Sequence, residues 1–220
     1  MPPRSPRPPP RSSPNCAREA IAARGRFVCA VSGGKTPWIM LRDLATEDLD
    51  WNKIHIAQVD ERIAPAGHAD RNFTQFVESF ISRVAIPAEN ILAMPVESTD
   101  LAQACRDYAK RLSEVAGEPP VLDPIHLGLG TDGHTASLVP GDPVLNVADV
   151  DVATTDVYQN RRRMTLTYPI IDRARTILWV ATGRDKAEQL RSLRTADPTI
   201  PAGRVAQHNA VIYADQDAAF

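Results

Sequence analysis

Short apolar runs recur along this chain, each stopping at a glycine-rich or charged turn, and most hand over to a helical pattern. Residues 27–31 (FVCAV), 54–59 (IHIAQV), 91–94, 124–129 (PIHLGL), 176–182 and 210–213 carry the strand pattern, and 163–167 reads as a further strand. Helices are predicted over 15–24, 37–44, 72–84, 99–115 and 185–193, with a helical turn at 168–173. Leu101, Cys105, Tyr108 and Leu112 stand at helical spacing. Asn15 reads as an N-cap and Gly25 as a stop. Thr36 reads as the N-cap of the next helix, with Pro37 at its first position. Strands apolar on both sides need cover on both sides, so the alternation predicts a largely parallel sheet with helices on each face.

At 220 residues and 43% apolar content, the chain can build one α/β core, placed here over residues 15–220. Residues 1–14 (MPPRSPRPPPRSSP) cannot bury an apolar face and read as a disordered tail. Its arginines are either a solvated leader or a contact for an acidic partner. A formal charge of −2 argues against a nucleic-acid binder. No apolar run approaches the roughly 20 residues of a membrane span, and no secretory h-region is present. Cys16, Cys29 and Cys105 form no CxxC pair, which argues against a disulfide framework or a zinc site and for a reducing, cytoplasmic setting.

Chemistry concentrates in four places. The stretch 126–142 (HLGLGTDGHTASLVPGD) ends a strand in a glycine-rich turn bearing Asp132 and His134, an acid beside the side chain best suited to proton transfer near neutral pH. Its Gly-x-Gly-x-x-Gly spacing is not a dinucleotide motif, because His134 and then Pro140-Gly141 interrupt the helix that should follow. The loop Ser32-Gly33-Gly34-Lys35-Thr36-Pro37 is either an anion-binding loop at a helix start or a plain tight turn, and it is not a Walker A sequence. Asp60-Glu61-Arg62 ends the second strand, where Arg62 suits a phosphate and Asp60 a hydroxyl. Arg71-Asn72 opens the next helix towards the same crevice. Arg163 and Lys186 could complete a cationic pocket, although each alone is ordinary surface charge. His55, His68, His126 and His208 lack metal-ligand spacing.

Together, Ser32-Gly33-Gly34-x-Thr36-Pro37, Asp60-Glu61-Arg62, Gly128-x-Gly130-x-Asp132-Gly133-His134-Thr135-Ala136-Ser137 and Arg163-Met164-Thr165 resemble the 6-phosphogluconolactonases. The resemblance runs in order from about residue 16 to the C-terminus. It implies a three-layer α/β/α sandwich on a mostly parallel, doubly wound sheet. It further implies hydrolysis of 6-phospho-D-glucono-1,5-lactone to 6-phospho-D-gluconate in the oxidative pentose phosphate pathway, without metal or organic cofactor, by a monomer or homodimer. The related glucosamine-6-phosphate deaminases usually follow the Asp-Gly-His core with a run that brings in a carboxylate, and tend to have an aromatic residue after the acidic pair. Thr135-Ala136-Ser137 and Arg62 stand at those places and favour the lactonase over the deaminase or a non-catalytic sugar-phosphate sensor. Family members also usually begin with an extra strand and a longer first helix, so the sheet here is expected to lack that edge. His134 is the expected general base and Asp132 its orienting partner. Ser32, Gly33, Gly34, Lys35, Thr36, Asp60, Arg62, Asn72, Arg163 and Lys186 are expected to hold the phosphosugar.

Overall fold

A computed structural model describes residues 14–219; residues 1–13 of the expected tail lie outside them, and Pro14 opens the first helix. The elements run α1 (Pro14–Arg24), β1 (Phe27–Val31), α2 (Lys35–Leu44), β2 (Ile54–Gln58), β3 (Asp60–Arg62), α3 (Asn72–Ser79), β4 (Ile91–Leu92), α4 (Leu101–Ala116) and β5 (Pro124–Leu127). They continue as β6 (Val152–Thr154), β7 (Arg163–Leu166), α5 (Tyr168–Asp172), β8 (Thr176–Ala181), α6 (Ala187–Arg194), β9 (Ala210–Ala214) and α7 (Gln216–Ala219).

The main sheet has six strands in the order β4-β2-β1-β5-β8-β9, and every pairing is parallel. Residues of β1 alternate between two cores. Val28 and Ala30 pack with Tyr108, Leu112, Ile170, Trp179 and Leu190 on one side. Phe27, Cys29 and Val31 pack with Ala17, Leu41, Phe76 and Phe80 on the other. Helices α4, α5 and α6 therefore cover one face and α1, α2 and α3 the opposite one, which is the expected three-layer arrangement. From β1 the order climbs to β2 and β4 on one side and to β5, β8 and β9 on the other. This reversal opens a crevice between the ends of β1 and β5, where open α/β sheets bind ligands.

Among the described residues no strand precedes α1, and β4 and β9 are the outer strands of this sheet. The α1–α3 face is left open towards β5, β8 and β9, forming a groove of about 500 Å³ whose lining includes Ile39, Pro124, His126, Leu178, Val180 and Tyr213.

A second, antiparallel sheet, in the order β3-β7-β6, was not expected from the sequence, although β7 itself was. The two sheets share one residue. Val59 donates its N–H to Val31 O of the large sheet (3.0 Å) and accepts at its own carbonyl from Leu166 N of the small one (2.8 Å).

Three expectations about helices need correction. Helix α2 begins at Lys35 with Gly34 as N-cap at φ 128°, so Thr36 does not cap it and Pro37 sits in the first turn. The first intrahelical bond comes from Trp38 N to Gly34 O (3.3 Å), so the missing Pro37 N–H costs no hydrogen bond. The helix predicted to reach residue 84 ends at Ser79, because Phe80 leaves helical geometry (φ −139°) to pack between Phe76 and Trp51. The helix predicted from 185 starts at Ala187, after a 3-10 turn over Arg184–Lys186.

Candidate active site

The loop after β5 is wound tightly around an acid and an imidazole. Gly130 N donates to His134 O (2.8 Å) and Gly133 N to Gly130 O (3.1 Å). Asp132 Oδ1 accepts from His134 N (3.1 Å) and lies 2.5 Å from His134 Nδ1. A Cβ at position 130 would fall 2.2 Å from that Nδ1 and 2.6 Å from Asp132 Oδ1, so only glycine leaves room for the pair. Burial raises the Asp132 carboxyl, but the His134 N–H, the imidazole charge, the Nδ1 contact and the Tyr158 hydroxyl outweigh it and hold the acid below its ordinary value. An ionised Asp132 keeps the proton of the neutral ring on Nδ1, which leaves the Nε2 lone pair open. The imidazole is 26% exposed, so that lone pair can meet water.

The turn after β1 reaches the same place through Asn72. A Cβ on Gly33 would meet Asn72 Oδ1 at 2.1 Å. Asn72 Nδ2 donates to Asp60 O (3.1 Å) and lies 3.4 Å from Asp60 Oδ1. Asp60, buried at 5% exposure, accepts from the Ser137 hydroxyl (2.6 Å). Arg163 donates to Ser137 Oγ (3.5 Å) and to Gln159 Oε1 (3.1 Å). Gln159 Nε2 donates to Tyr158 Oη (3.3 Å), and that hydroxyl donates to Asp132 Oδ2 (2.9 Å). Polar contacts thus run unbroken from Asn72, packed closely against Gly33, to His134, joining residues far apart in sequence.

Arg163 belongs to this cluster, and Arg62, whose guanidinium donates to Asp70 O (2.7 Å), neighbours it. Arg62 and Arg163 are paired positions on neighbouring strands β3 and β7. Burial and then the Arg62 charge push the Arg163 guanidinium below its ordinary value. Both Nε atoms are buried without a hydrogen-bond partner among the described residues. An anion bridging the two side chains would satisfy both.

Not every expected residue stands ready for a ligand. The Ser32 hydroxyl gives its proton to His126 O (2.9 Å) and so offers none to an anion. Thr36 Oγ1 pairs with Thr182 Oγ1 (3.0 Å). Gly34 opens α2 without a side-chain cap, leaving the first backbone N–H groups of the helix as donors. The Lys35 side chain lies outside the described residues. Lys186 pairs with Asp185 (3.4 Å) and makes no hydrogen bond to the cluster among the described residues.

Arg71 does not present itself to the crevice. It is 6% exposed and forms ion pairs with Glu61 (3.1 Å) and Glu97 (2.9 Å). Glu61 is fully buried and accepts from Asn72 N (2.8 Å), Phe73 N (2.8 Å), Arg62 N (2.7 Å) and Gln58 Nε2 (3.0 Å). It satisfies the open N-terminus of α3 and so sets Asn72 and Arg62 in place. Sequence reasoning did not single out Tyr158 or Gln159. The Tyr-Gln-Asn-Arg segment is an ordinary polar turn by composition, and only its contacts reveal its position. Among the described residues no group of three or more His, Cys, Asp or Glu is arranged to hold a metal ion.

Comparison with known proteins gives this arrangement a family. The family model described as glucosamine-6-phosphate isomerases/6-phosphogluconolactonase matches residues 12–213. The chain is 38% identical over 186 residues to a 6-phosphogluconolactonase of a Synechocystis species, covering 82% of this chain and 77% of that one. It is 38% identical over 175 residues to a 6-phosphogluconolactonase of a Nostoc species, covering 78% and 72%. Among solved structures, a 6-phosphogluconolactonase from Thermotoga maritima superposes with a TM-score of 0.82 at 25% identity, covering 91% of this chain and 90% of that one. The chain belongs to the glucosamine-6-phosphate isomerase/6-phosphogluconolactonase family.

Proposed function

We propose that this protein hydrolyses 6-phospho-D-glucono-1,5-lactone to 6-phospho-D-gluconate, with His134 as general base. The observation that carries the reading is the Asp132–His134 pair, which engages Nδ1 of the ring and so leaves Nε2 as the nitrogen available for proton transfer. In this reading His134 Nε2 takes a proton from water as its oxygen attacks the lactone carbonyl. The tetrahedral adduct collapses by breaking the bond from the carbonyl carbon to the ring oxygen. His134 returns the proton to that oxygen, which becomes the sugar hydroxyl. Asp132 stabilises the imidazolium formed between the two steps. Arg62 and Arg163 hold an anionic part of the ligand, with the N–H groups at the start of α2 as further donors. Arg62, and Thr135-Ala136-Ser137 after the imidazole, support the lactonase over the deaminase chemistry of the same family.

A small anionic substrate suits a chain of formal charge −2 better than nucleic acid does. The buried thiols Cys29 and Cys105 support a reducing, cytoplasmic setting. Among the described residues no helix is long and apolar enough to cross a membrane. The test is lactone hydrolysis by the purified protein, corrected for spontaneous ring opening and run beside ammonia release from glucosamine 6-phosphate. Hydrolysis without ammonia is the expected result; ammonia release, or no turnover of either compound, overturns the reading.

A further inference from the structure

The hairpin between β6 and β7 ends in a two-residue turn built at a cost in backbone conformation. Tyr158 and Arg161 exchange both backbone hydrogen bonds, at 3.0 and 3.2 Å. Gln159 (φ 49°) and Asn160 (φ 64°) between them are both in the left-handed region, which glutamine rarely adopts. Two side chains of this turn, Tyr158 and Gln159, reach the cluster. The Tyr158 hydroxyl donates to Asp132 Oδ2, the carboxylate oxygen that His134 does not use. Its ring meets the imidazole edge-on, with centroids 5.6 Å apart, and the Arg163 guanidinium carbon lies 4.9 Å from the same ring's centroid. Gln159 bonds both Tyr158 and Arg163, so the two cannot shift independently.

We propose that Tyr158 is a positioning residue of this site: its hydroxyl stops the Asp132 carboxylate from turning, and its ring sets the spacing between imidazole and guanidinium. A carboxylate tethered only through Oδ1 could rotate away from Nδ1 and release the ring. With Oδ2 also bound, both oxygens are committed, and the imidazole keeps the orientation that presents Nε2. The charged and titratable groups around this contact are Asp132 and His134 from the β5 loop, Arg163 from β7 and, behind it, Arg62 from β3.

The inference rests on the lactonase reading for its kinetic part, and a spectroscopic arm separates the two. Tyr158→Phe keeps the ring and removes the hydroxyl. Its kcat on the lactone is expected to fall about tenfold with KM within about twofold, an unchanged thermal midpoint, and no further loss when the substitution is added to Asp132→Asn. A kcat within twofold of the parent, or a full tenfold loss added on top of Asp132→Asn, overturns the proposal. Independently of any turnover, 15N-histidine NMR of the parent should show His134 with its proton on Nδ1, and Tyr158→Phe should weaken that signature. An unchanged spectrum overturns the positioning role even if the lactonase reading stands. A parent protein without lactonase activity but with this spectral change defeats the function alone.

Discussion

Arg62 and Arg163 stand opposite one another across the β3–β7 ladder, two like charges at paired positions, with both Nε atoms lacking a hydrogen-bond partner among the described residues. Like charges directly opposite destabilise a strand pair. An anion held by both, as proposed above, would offset that repulsion. Arg163→Met should therefore raise the Kd for 6-phosphogluconate by roughly 10–100-fold, the range for losing one or two hydrogen bonds to a charged group. Calorimetric titration of the product checks this. Unchanged binding would place the phosphosugar elsewhere.

His134→Ala should lower kcat by about 10²–10⁴-fold, the usual contribution of a positioned acid–base group. Product affinity should remain close to that of the parent, since the proposed anion grip belongs to the arginines and not to His134. Comparable turnover in the variant removes His134 from the role of base.

Gly130→Ala tests the fit of the loop. The added methyl would lie 2.2 Å from Nδ1 of the imidazole, so the ring must move while the backbone can stay in place. Activity should drop on the order of 100-fold, as expected for a misplacement of about 1 Å, while the thermal midpoint shifts little. A variant that turns over normally would show that the imidazole is not held as described.

Glu61 gives a stability prediction. Removing it by Glu61→Ala strands Arg71 in a buried position and uncaps Asn72 N and Phe73 N. The loss should be about 3–5 kcal/mol. That would lower the melting midpoint by roughly 10 °C for a chain of this size. A calorimetric scan of both proteins decides it, and a difference of a degree or two would mean that Glu97 alone sustains Arg71.

His126 gives a pH dependence. Burial pushes its imidazole from 6.5 down to about 4, and neither ring nitrogen has a hydrogen-bond partner among the described residues. The folded state excludes a proton that the unfolded chain accepts, so this contribution is complete above about pH 6.5 and is lost as the pH falls towards 4. Its size is about 3 kcal/mol. Urea titrations at pH 7 and pH 4.5 should show the parent losing more stability than His126→Leu. Equal losses would contradict the buried, neutral state.

The large sheet was legible because its strands are apolar on both faces, and because Gly25 marks the end of the first helix where the structure has it. The small sheet was not legible. Asp60-Glu61-Arg62 is entirely charged, and it pairs as a strand only because Glu61 finds buried partners from α3 and Arg71. Val152–Thr154 is too short to show a period. Thr36 lost its capping role to Gly34, whose φ of 128° no propensity scale anticipates. At the site, the acid and the imidazole were visible because they lie two residues apart. Tyr158 was hidden because its meaning comes from a carboxylate 26 positions earlier in the chain.

Val59 hydrogen-bonds into both sheets through consecutive atoms of one peptide strand, and it is completely buried. The arginines and Asp60 ride on one side of this splice and the Gly33 loop on the other. Any swing of one half against the other must stretch or break these two bonds inside a buried join, so the splice favours a ready-made mould over a hinged grip.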